Sequence, residues 1–198
     1  MIYKNRKVFE NLSIRVGKLF SKLQISANQW TTLSLLLIMI TFYFLVKGEF
    51  LISTVLLAFT SFIDVIDGAV ARATKKASIF GAYLDTIVDR LIEFVTILGL
   101  FLVGYPDFIL PMNFWLASLL FSCLMITYSK AAASEKGLVR KELKGGILEH
   151  PDRMLFFIAI VLVSNYSLEY ASFLIVAMTI LTITTAVQRF LIAIKGKL

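Results

Sequence analysis

Four aspartates stand in stretches of the chain that are otherwise apolar, and their side chains are the ones best suited to chemistry. They are Asp64, Asp67, Asp85 and Asp89. A single charged side chain at the centre of a membrane helix costs roughly 2.5–3.5 kcal/mol on insertion scales. Four carboxylates in one neighbourhood therefore need compensation. Ionisable residues in such segments generally face a polar cavity, which is usually the working site.

The spacing of the aspartates places each pair on one helix face. Asp64 and Asp67 are three residues apart, and Asp85 and Asp89 are four apart, so each pair forms surface neighbours on a helix. The link between the two helices is short, which predicts antiparallel packing with the pairs facing each other. Because like charges repel, we expect a cation between them. Carboxylate oxygens without thiolate or imidazole select Mg²⁺ or Mn²⁺, and two pairs could hold two ions.

The elements that carry these aspartates are predicted to be membrane spans. Of the 198 residues, 59% are hydrophobic, against about 45–50% in soluble domains, and the mean hydropathy is +0.84. Six spans of about 20 residues would use most of the chain, which predicts an all-α integral membrane protein. The predicted spans run from about 29 to 46, 50 to 70, 78 to 103, 108 to 133, 151 to 163 and 168 to 194.

An amphipathic helix is predicted ahead of the first span, over residues 4–24. Val8, Leu12, Val16, Leu19 and Leu23 recur at helical spacing, and the lysines and arginines of this stretch lie off that stripe. Such a helix should rest on lipid headgroups. The alternative is a basic flank that only sets topology. We divide the chain into an interfacial helix, 1–25, and a six-span domain, 26–198.

The basic residues predict the orientation of the chain in the membrane. The net charge is +7, but the lysines and arginines lie between apolar runs, which indicates membrane topology and anionic headgroups rather than nucleic acid. Apart from Lys47, and Arg90 within the third span, they fall at the termini, the second-to-third link, the fourth-to-fifth loop or adjoining helix ends. With six spans all of these lie on one side. The positive-inside rule makes it the cytoplasmic side of the cell membrane, with both termini and the aspartates there.

The chemistry that fits this arrangement is displacement at phosphorus. Metal ions on carboxylates beside a Gly-flanked basic link suit a diphosphate substrate. Arg72 could reach a phosphate from the end of the second span, and Gly68 and Gly81 let a ligand approach the backbone. A remaining carboxylate could take the proton from an attacking hydroxyl.

The pattern Asp64-x2-Asp67-Gly68-x2-Ala71-Arg72-x8-Gly81-x3-Asp85-x3-Asp89 resembles the signature of the CDP-alcohol phosphotransferase family in every fixed position. The resemblance implies that Asp64, Asp67 and Asp85 hold the metal ions, with Asp89 also near them and acting as general base. It further implies a homodimer and a set of residues at the CDP site. Those residues are Asn28, Thr31, Asp64, Asp67, Gly68, Ala71, Arg72, Gly81 and Asp85.

A segment before the first span carries part of this resemblance. The family usually has T-P-N-x-x-T there, and this chain has Ser26-Ala27-Asn28-Gln29-Trp30-Thr31. Asn28 and Thr31 match the family pattern. Ala27 replaces the proline, which bears only on the rigidity of the local turn.

The implied reaction takes place at the lipid bilayer. It transfers a phosphatidyl-type or archaetidyl group from a CDP-linked lipid donor to a polar alcohol and releases CMP. Residues 128–153 are similar to the inositol-phosphate-using branch, in which a lysine after the fourth span and a G-G-x-x-E-R-P-x-R segment form an anion pocket. Lys130, His150 and Arg153 are the predicted acceptor-binding residues. His150 stands where that branch usually has arginine, and Ala132 where arginine is common.

Alternatives exist for both the acceptor and the class of protein. The departures from the branch pattern at His150 and Ala132 leave glycerol 3-phosphate, serine or another alcohol open as the acceptor in place of inositol 1-phosphate. A membrane protein with four aspartates could also be a cation-coupled transporter. Metal-dependent release of CMP separates the enzyme from the transporter.

Overall fold

The structure, a computed structural model, describes residues 15–74, 78–138 and 146–195. These ranges are all-helical, with a short helix over 15–21, here α1, followed by six longer helices. The longer helices are α2 (Ala27–Val46), α3 (Phe50–Ala73), α4 (Ile79–Val103), α5 (Met112–Glu135), α6 (His150–Ser164) and α7 (Leu168–Lys195). Residues 1–14 of the predicted amphipathic helix lie outside the described residues, as do Lys75 and Lys76 of the link and Gly145 of the acceptor segment.

Each predicted span corresponds to one helix, and the boundaries follow local chemistry. Ser26 precedes α2, where its Oγ accepts from the Gln29 amide at 3.3 Å while Gln29 Oε1 accepts from the Ser26 amide at 2.8 Å, the reciprocal pattern of a capping box. Glu149 and Asp152 make the same reciprocal contacts at α6, with Pro151 in the first turn. Proline is favoured there because its missing N–H is not needed.

The start of α5 differs from the sequence prediction. The apolar run begins at Phe108, but the helix begins at Met112. Phe108 and Leu110 bridge each other through their backbones, and Asp107 Oδ1 accepts the Met112 amide at 2.8 Å. The apolar residues before Pro111 therefore belong to a loop.

Four of these helices, α2, α3, α5 and α7, are long and apolar enough to cross a membrane. The chain is thus a membrane protein, while crossing by α4 and α6 stays a prediction. Helix α4 carries Asp85, Asp89, Arg90 and Glu93. Helix α6 has 15 residues, which at about 1.5 Å per residue falls short of a hydrocarbon core of about 30 Å.

The described residues form two compact units. The first comprises the described residues up to Ile40 together with Val55–Ile92. Its core is made by Trp30, Ile63, Ile66 and Val70, against which Phe20 of α1 packs. A Cβ placed on Gly17 would fall on the carbonyl of Ala69, so α1 lies directly against the backbone of α3, one residue beyond Gly68.

The second unit comprises Thr41–Thr54 and Glu93–Leu198. In it α7 packs against both α5 and α6. Two pairs of hydroxyls link its elements. Ser122 Oγ of α5 lies 2.7 Å from Thr182 Oγ1 of α7, and the Tyr105 hydroxyl of the loop after α4 lies 2.7 Å from Ser164 Oγ of α6. Burial raises the pKa of Tyr105 to about 12, so this loop phenol stays protonated and keeps its hydrogen bond.

Candidate functional site

Three of the four predicted aspartates meet in the first unit. One carboxylate oxygen from each of Asp64, Asp67 and Asp85 lies within 4.8 Å of the other two. Asp64 and Asp67 come from successive turns of α3, and Asp85 comes from α4. Three hard oxygen donors at this spacing fit a divalent cation such as Mg²⁺ or Mn²⁺ and would suit a softer metal poorly.

Asp67 is held in place by a side chain of α2. Its exposed fraction is only 4%, and its Oδ2 accepts from Thr31 Oγ1 at 2.7 Å. Thr31 is also buried, and its hydroxyl lies 3.1 Å from the Ala27 carbonyl. A buried carboxylate needs such partners, because burying an unpaired charge is costly. The hydrogen bond therefore fixes one carboxylate of the cluster relative to the first turn of α2.

A cleft of about 180 Å³ opens beside this cluster, within the first unit. Of the nine predicted CDP-binding residues, all but Asp64 line it. Those lining residues are Asn28, Thr31, Asp67, Gly68, Ala71, Arg72, Gly81 and Asp85. Side chains spread over residues 28–85 are thus brought to one cavity.

Two glycines keep this cleft open. A Cβ on Gly81 would stand 3.1 Å from both Asn28 Oδ1 and Ser78 Oγ. A Cβ on Gly68 would stand 3.2 Å from Arg72 Nη1, because the guanidinium lies over that glycine. Both contacts are tight, so a side chain at either position would push the polar groups that face the cleft.

Two helix N-termini and one arginine bring positive charge to the cleft, which Asp67 and Asp85 also line. The first turn of α2 contributes Asn28, and the first turn of α4 contributes Gly81 and Ala82. A helix N-terminus directs unpaired N–H groups and a partial positive charge at a ligand, which favours phosphate. Arg72 adds a full charge from the last turn of α3. The arrangement suits an anionic ligand bridged to the carboxylates by a cation.

Sequence reasoning missed Ser78 as a site residue. Ser78 Oγ accepts the Gly81 amide at 2.9 Å, so it caps α4, and its side chain also lines the cleft. The signal was present, because serine just before an apolar helix is a favoured cap.

Asp89, the fourth aspartate, lies one turn beyond Asp85 on α4. Its carboxylate oxygen comes within 4.8 Å of an oxygen of Asp64, and its Oδ2 lies 3.4 Å from Arg90 Nη2. The side chain is 18% exposed. It therefore joins the carboxylate group while keeping some access to solvent or ligand.

The predicted acceptor residues lie in the second unit. His150 and Arg153 share one partner on α4, Glu93, whose Oε1 is 2.8 Å from His150 Nδ1 and 2.9 Å from Arg153 Nε. Lys130 is half-buried near the end of α5. Within this unit the structure thus joins two of the three predicted residues through a carboxylate of α4.

Arg189 of α7 was not singled out from the sequence. Gly146 adopts φ +122, and its backbone packs on α7, where a Cβ would meet Thr185 Cγ2 at 2.6 Å and Arg189 Nε at 3.6 Å. Arg189 Nη1 also donates to the Ile126 carbonyl at 3.0 Å. The Gly146 turn therefore brings a second arginine, after Arg153, to the predicted acceptor segment.

Fold and site together define an integral membrane protein with a carboxylate cluster that could hold a divalent cation and a cleft that suits an anionic ligand. The chain belongs to the CDP-alcohol phosphatidyltransferase family, whose model matches residues 24–193. It is therefore a transferase rather than the transporter that the aspartates alone left open.

Curated relatives of this chain include inositol phosphate synthases. The archaetidylinositol phosphate synthase of Pyrococcus horikoshii is 32% identical over 146 residues, covering 73% of this chain and 74% of the relative. That of Aeropyrum pernix is 31% identical, covering 74% and 71%. The phosphatidylinositol phosphate synthase of Corynebacterium glutamicum is 30% identical, covering 92% and 84%.

Solved structures share the fold. The phosphatidylinositol phosphate synthase of Mycobacterium tuberculosis with CDP-DAG bound superposes with a TM-score of 0.78 at 21% identity, covering 92% of this chain and 94% of that one. The same enzyme in complex with manganese and citrate gives a TM-score of 0.78 at 22% identity, covering 92% and 88%.

Proposed function

We propose that the chain transfers a phosphatidyl or archaetidyl group from a CDP-linked lipid to inositol 1-phosphate, releasing CMP, as a step of phospholipid synthesis. The observation that carries this proposal is the cleft beside the carboxylate cluster, which collects eight of the nine predicted CDP residues. The names of the relatives, which are inositol phosphate synthases, support the choice of acceptor.

The donor binds in the cleft of the first unit. Its diphosphate carries the negative charge that the N-termini of α2 and α4 and the Arg72 guanidinium favour. Asn28 and Thr31 hold the nucleotide from α2, and Gly68, Ala71 and Gly81 leave room for it. The M. tuberculosis enzyme with CDP-DAG bound supports this assignment.

Asp64, Asp67, Asp85 and Asp89 hold two ions of Mg²⁺ or Mn²⁺. When bound, these cations neutralise phosphate charge and stabilise displacement at phosphorus. The role of the chain is to fix the oxygens that receive them, as the Thr31 hydroxyl does for Asp67. The manganese complex of the M. tuberculosis enzyme supports the choice of metal.

Asp89 is the general base. It takes the proton from the acceptor hydroxyl while that oxygen forms a bond to the lipid-side phosphorus of the donor. The bond from this phosphorus to the bridging oxygen breaks, and CMP leaves with that oxygen. No covalent enzyme intermediate is needed, because the acceptor attacks directly.

Lys130, His150 and Arg153 bind the acceptor, and Arg189 adds charge beside Gly146. A phosphate monoester suits such a group, because guanidinium and ammonium groups make charge-assisted hydrogen bonds to its oxygens. Glycerol 3-phosphate shares the phosphate with inositol 1-phosphate, whereas serine does not.

The chain crosses the cell membrane six times as one domain, 26–198, with an amphipathic helix over 1–25 resting on the surface. The distribution of lysine and arginine supports placing both termini and the aspartates on the cytoplasmic side. The protein acts as a homodimer. Its mass in detergent micelles, measured by light scattering, tests that assembly.

A panel of acceptors tests the acceptor assignment. Purified protein is supplied with CDP-diacylglycerol or CDP-archaeol and Mg²⁺ or Mn²⁺, and CMP is measured with inositol 1-phosphate, inositol, glycerol 3-phosphate and serine in parallel. We expect inositol 1-phosphate to stimulate release far above the others, because Lys130, Arg153 and Arg189 suit a phosphate and the relatives are named as inositol phosphate synthases. Stimulation by another alcohol alone would overturn the acceptor and keep the transfer reaction.

A further inference from the structure

Glu93 connects the two acceptor residues of α6 through a single oxygen. Its Oε1 accepts from Arg153 Nε at 2.9 Å and lies 2.8 Å from both Arg153 Nη2 and His150 Nδ1. Glu93 and Arg153 are each only 2% exposed in their side chains. The family signature ends at Asp89, so it assigns no role to this carboxylate one turn further along α4.

The ion pair fixes the guanidinium of Arg153. Nη1 donates to the Leu148 carbonyl at 3.3 Å, so the contacts with Glu93 and Leu148 use three of the five N–H donors that arginine carries. The planar fork then points its other two donors in one set direction. A buried guanidinium without a carboxylate is strongly unfavourable, so Glu93 both compensates the charge of Arg153 and orients its guanidinium.

The same carboxylate selects one tautomer of His150. An ionised carboxylate can only accept, so Nδ1 must carry the proton in the hydrogen bond to Oε1. Glu93 thus sets the orientation of the His150 ring as well as that of the Arg153 guanidinium.

We propose that Glu93 is a positioning residue of the acceptor site, which holds Arg153 and His150 in place so that the site favours an alcohol carrying a phosphate. Arg153, fixed by Glu93, receives that phosphate. The proposal rests on the proposed function, in which these two residues bind the acceptor.

The first test separates positioning from a general structural role. Glu93→Gln keeps the shape of the side chain but removes the charge that holds Arg153. We expect the KM for inositol 1-phosphate to rise roughly 10-fold or more, with kcat and the KM for the CDP-lipid changed less than about threefold. The matched control is Glu49→Gln, which makes the same change in the exposed turn between α2 and α3 and should alter nothing. Equal losses in both KM values, or an unchanged acceptor KM, would overturn the proposal.

A double variant tests whether Glu93 acts through Arg153. If it does, Glu93→Gln combined with Arg153→Gln should be no worse for the acceptor KM than Arg153→Gln alone. Losses that multiply would overturn the proposal. If Glu93→Gln does not fold, Glu93→Asp takes its place, because aspartate keeps the negative charge but draws the carboxylate away from Arg153. The double variant with Arg153→Gln is then compared with Arg153→Gln alone in the same way.

A spectroscopic test does not depend on the acceptor. The chain has one histidine, so ¹⁵N-histidine labelling gives one pair of ring signals. We expect a proton on Nδ1 in the native protein and a smaller Nδ1–H fraction in Glu93→Gln. An Nδ1 without a proton in the native protein would overturn the proposal. If Nδ1 carries the proton but no phosphorylated alcohol stimulates the release of CMP, the proposed function is overturned instead.

Discussion

Asp89→Asn is expected to lower the rate of CMP release by about 10²–10⁴-fold, the usual contribution of a general base. Asparagine preserves the size of the side chain but cannot take the proton from the acceptor hydroxyl. Asp89 lies one turn beyond Asp85, and its carboxylate is within 4.8 Å of Asp64 while 18% exposed. Because the cleft that should bind the donor is lined by other residues, CDP-lipid binding should change only a few-fold.

Single-turnover release of CMP and equilibrium binding of the CDP-lipid, measured on the same preparation, check this expectation. Asp107→Asn is the control, since Asp107 lies in the loop before α5 and asparagine can still accept the Met112 amide. Near-full turnover in Asp89→Asn would show that the base is another group. A loss of donor binding as large as the loss of rate would show that Asp89 acts by holding the donor and not by taking the proton.

Asp67→Ala should weaken metal and nucleotide binding together. Asp67 is the carboxylate shared by the three-aspartate cluster and the cleft, and it is also the buried partner of Thr31. Its loss removes one of three oxygen ligands and leaves a buried hydroxyl without its acceptor. We expect affinity for Mn²⁺ and for the CDP-lipid each to fall by more than roughly 10-fold.

Electron paramagnetic resonance monitors the binding of Mn²⁺ with and without the CDP-lipid, and so measures the loss of affinity for both. The matched comparison is Thr31→Val, which keeps the Asp67 carboxylate and removes the hydroxyl that bonds to Asp67 Oδ2 and to the Ala27 carbonyl. It should cost a few-fold in each affinity, because a single hydrogen bond contributes about 0.5–1.5 kcal/mol. Nucleotide binding that survives in Asp67→Ala while Mn²⁺ is lost would show that the donor does not depend on this carboxylate.

The helices could be predicted from the sequence because their limits are local. Apolar runs end at Gly104 and Pro106 and begin after Ser26, Ser78 and Glu149, and these residues act on their own backbone neighbourhood. The predicted start of α5 was wrong because Phe108 and Leu110 are apolar but lie in a loop. Whether α4 crosses the membrane cannot be read from hydropathy, because its charged residues serve the site.

The carboxylate cluster was also predictable, since helical periodicity fixes which aspartates share a face and a short link brings the faces together. The structure confirms that Asp64, Asp67 and Asp85 meet. The pairing of Glu93 with Arg153 was not predictable. The two residues are 60 positions apart, and a glutamate between Asp89 and an apolar run gives no local sign of its partner. Arg189 was missed for the same reason, because only packing of the Gly146 turn on α7 reveals it.

The formation of CMP and phospholipid in one assay tests the central claim most directly. Purified protein is mixed with the CDP-lipid, inositol 1-phosphate and Mg²⁺ or Mn²⁺, and both products are quantified with and without a chelator. The account predicts that CMP and the new phospholipid appear in equal amounts, and only when donor, acceptor and metal are all present. Release of CMP without metal, or without a matching lipid product, would contradict it.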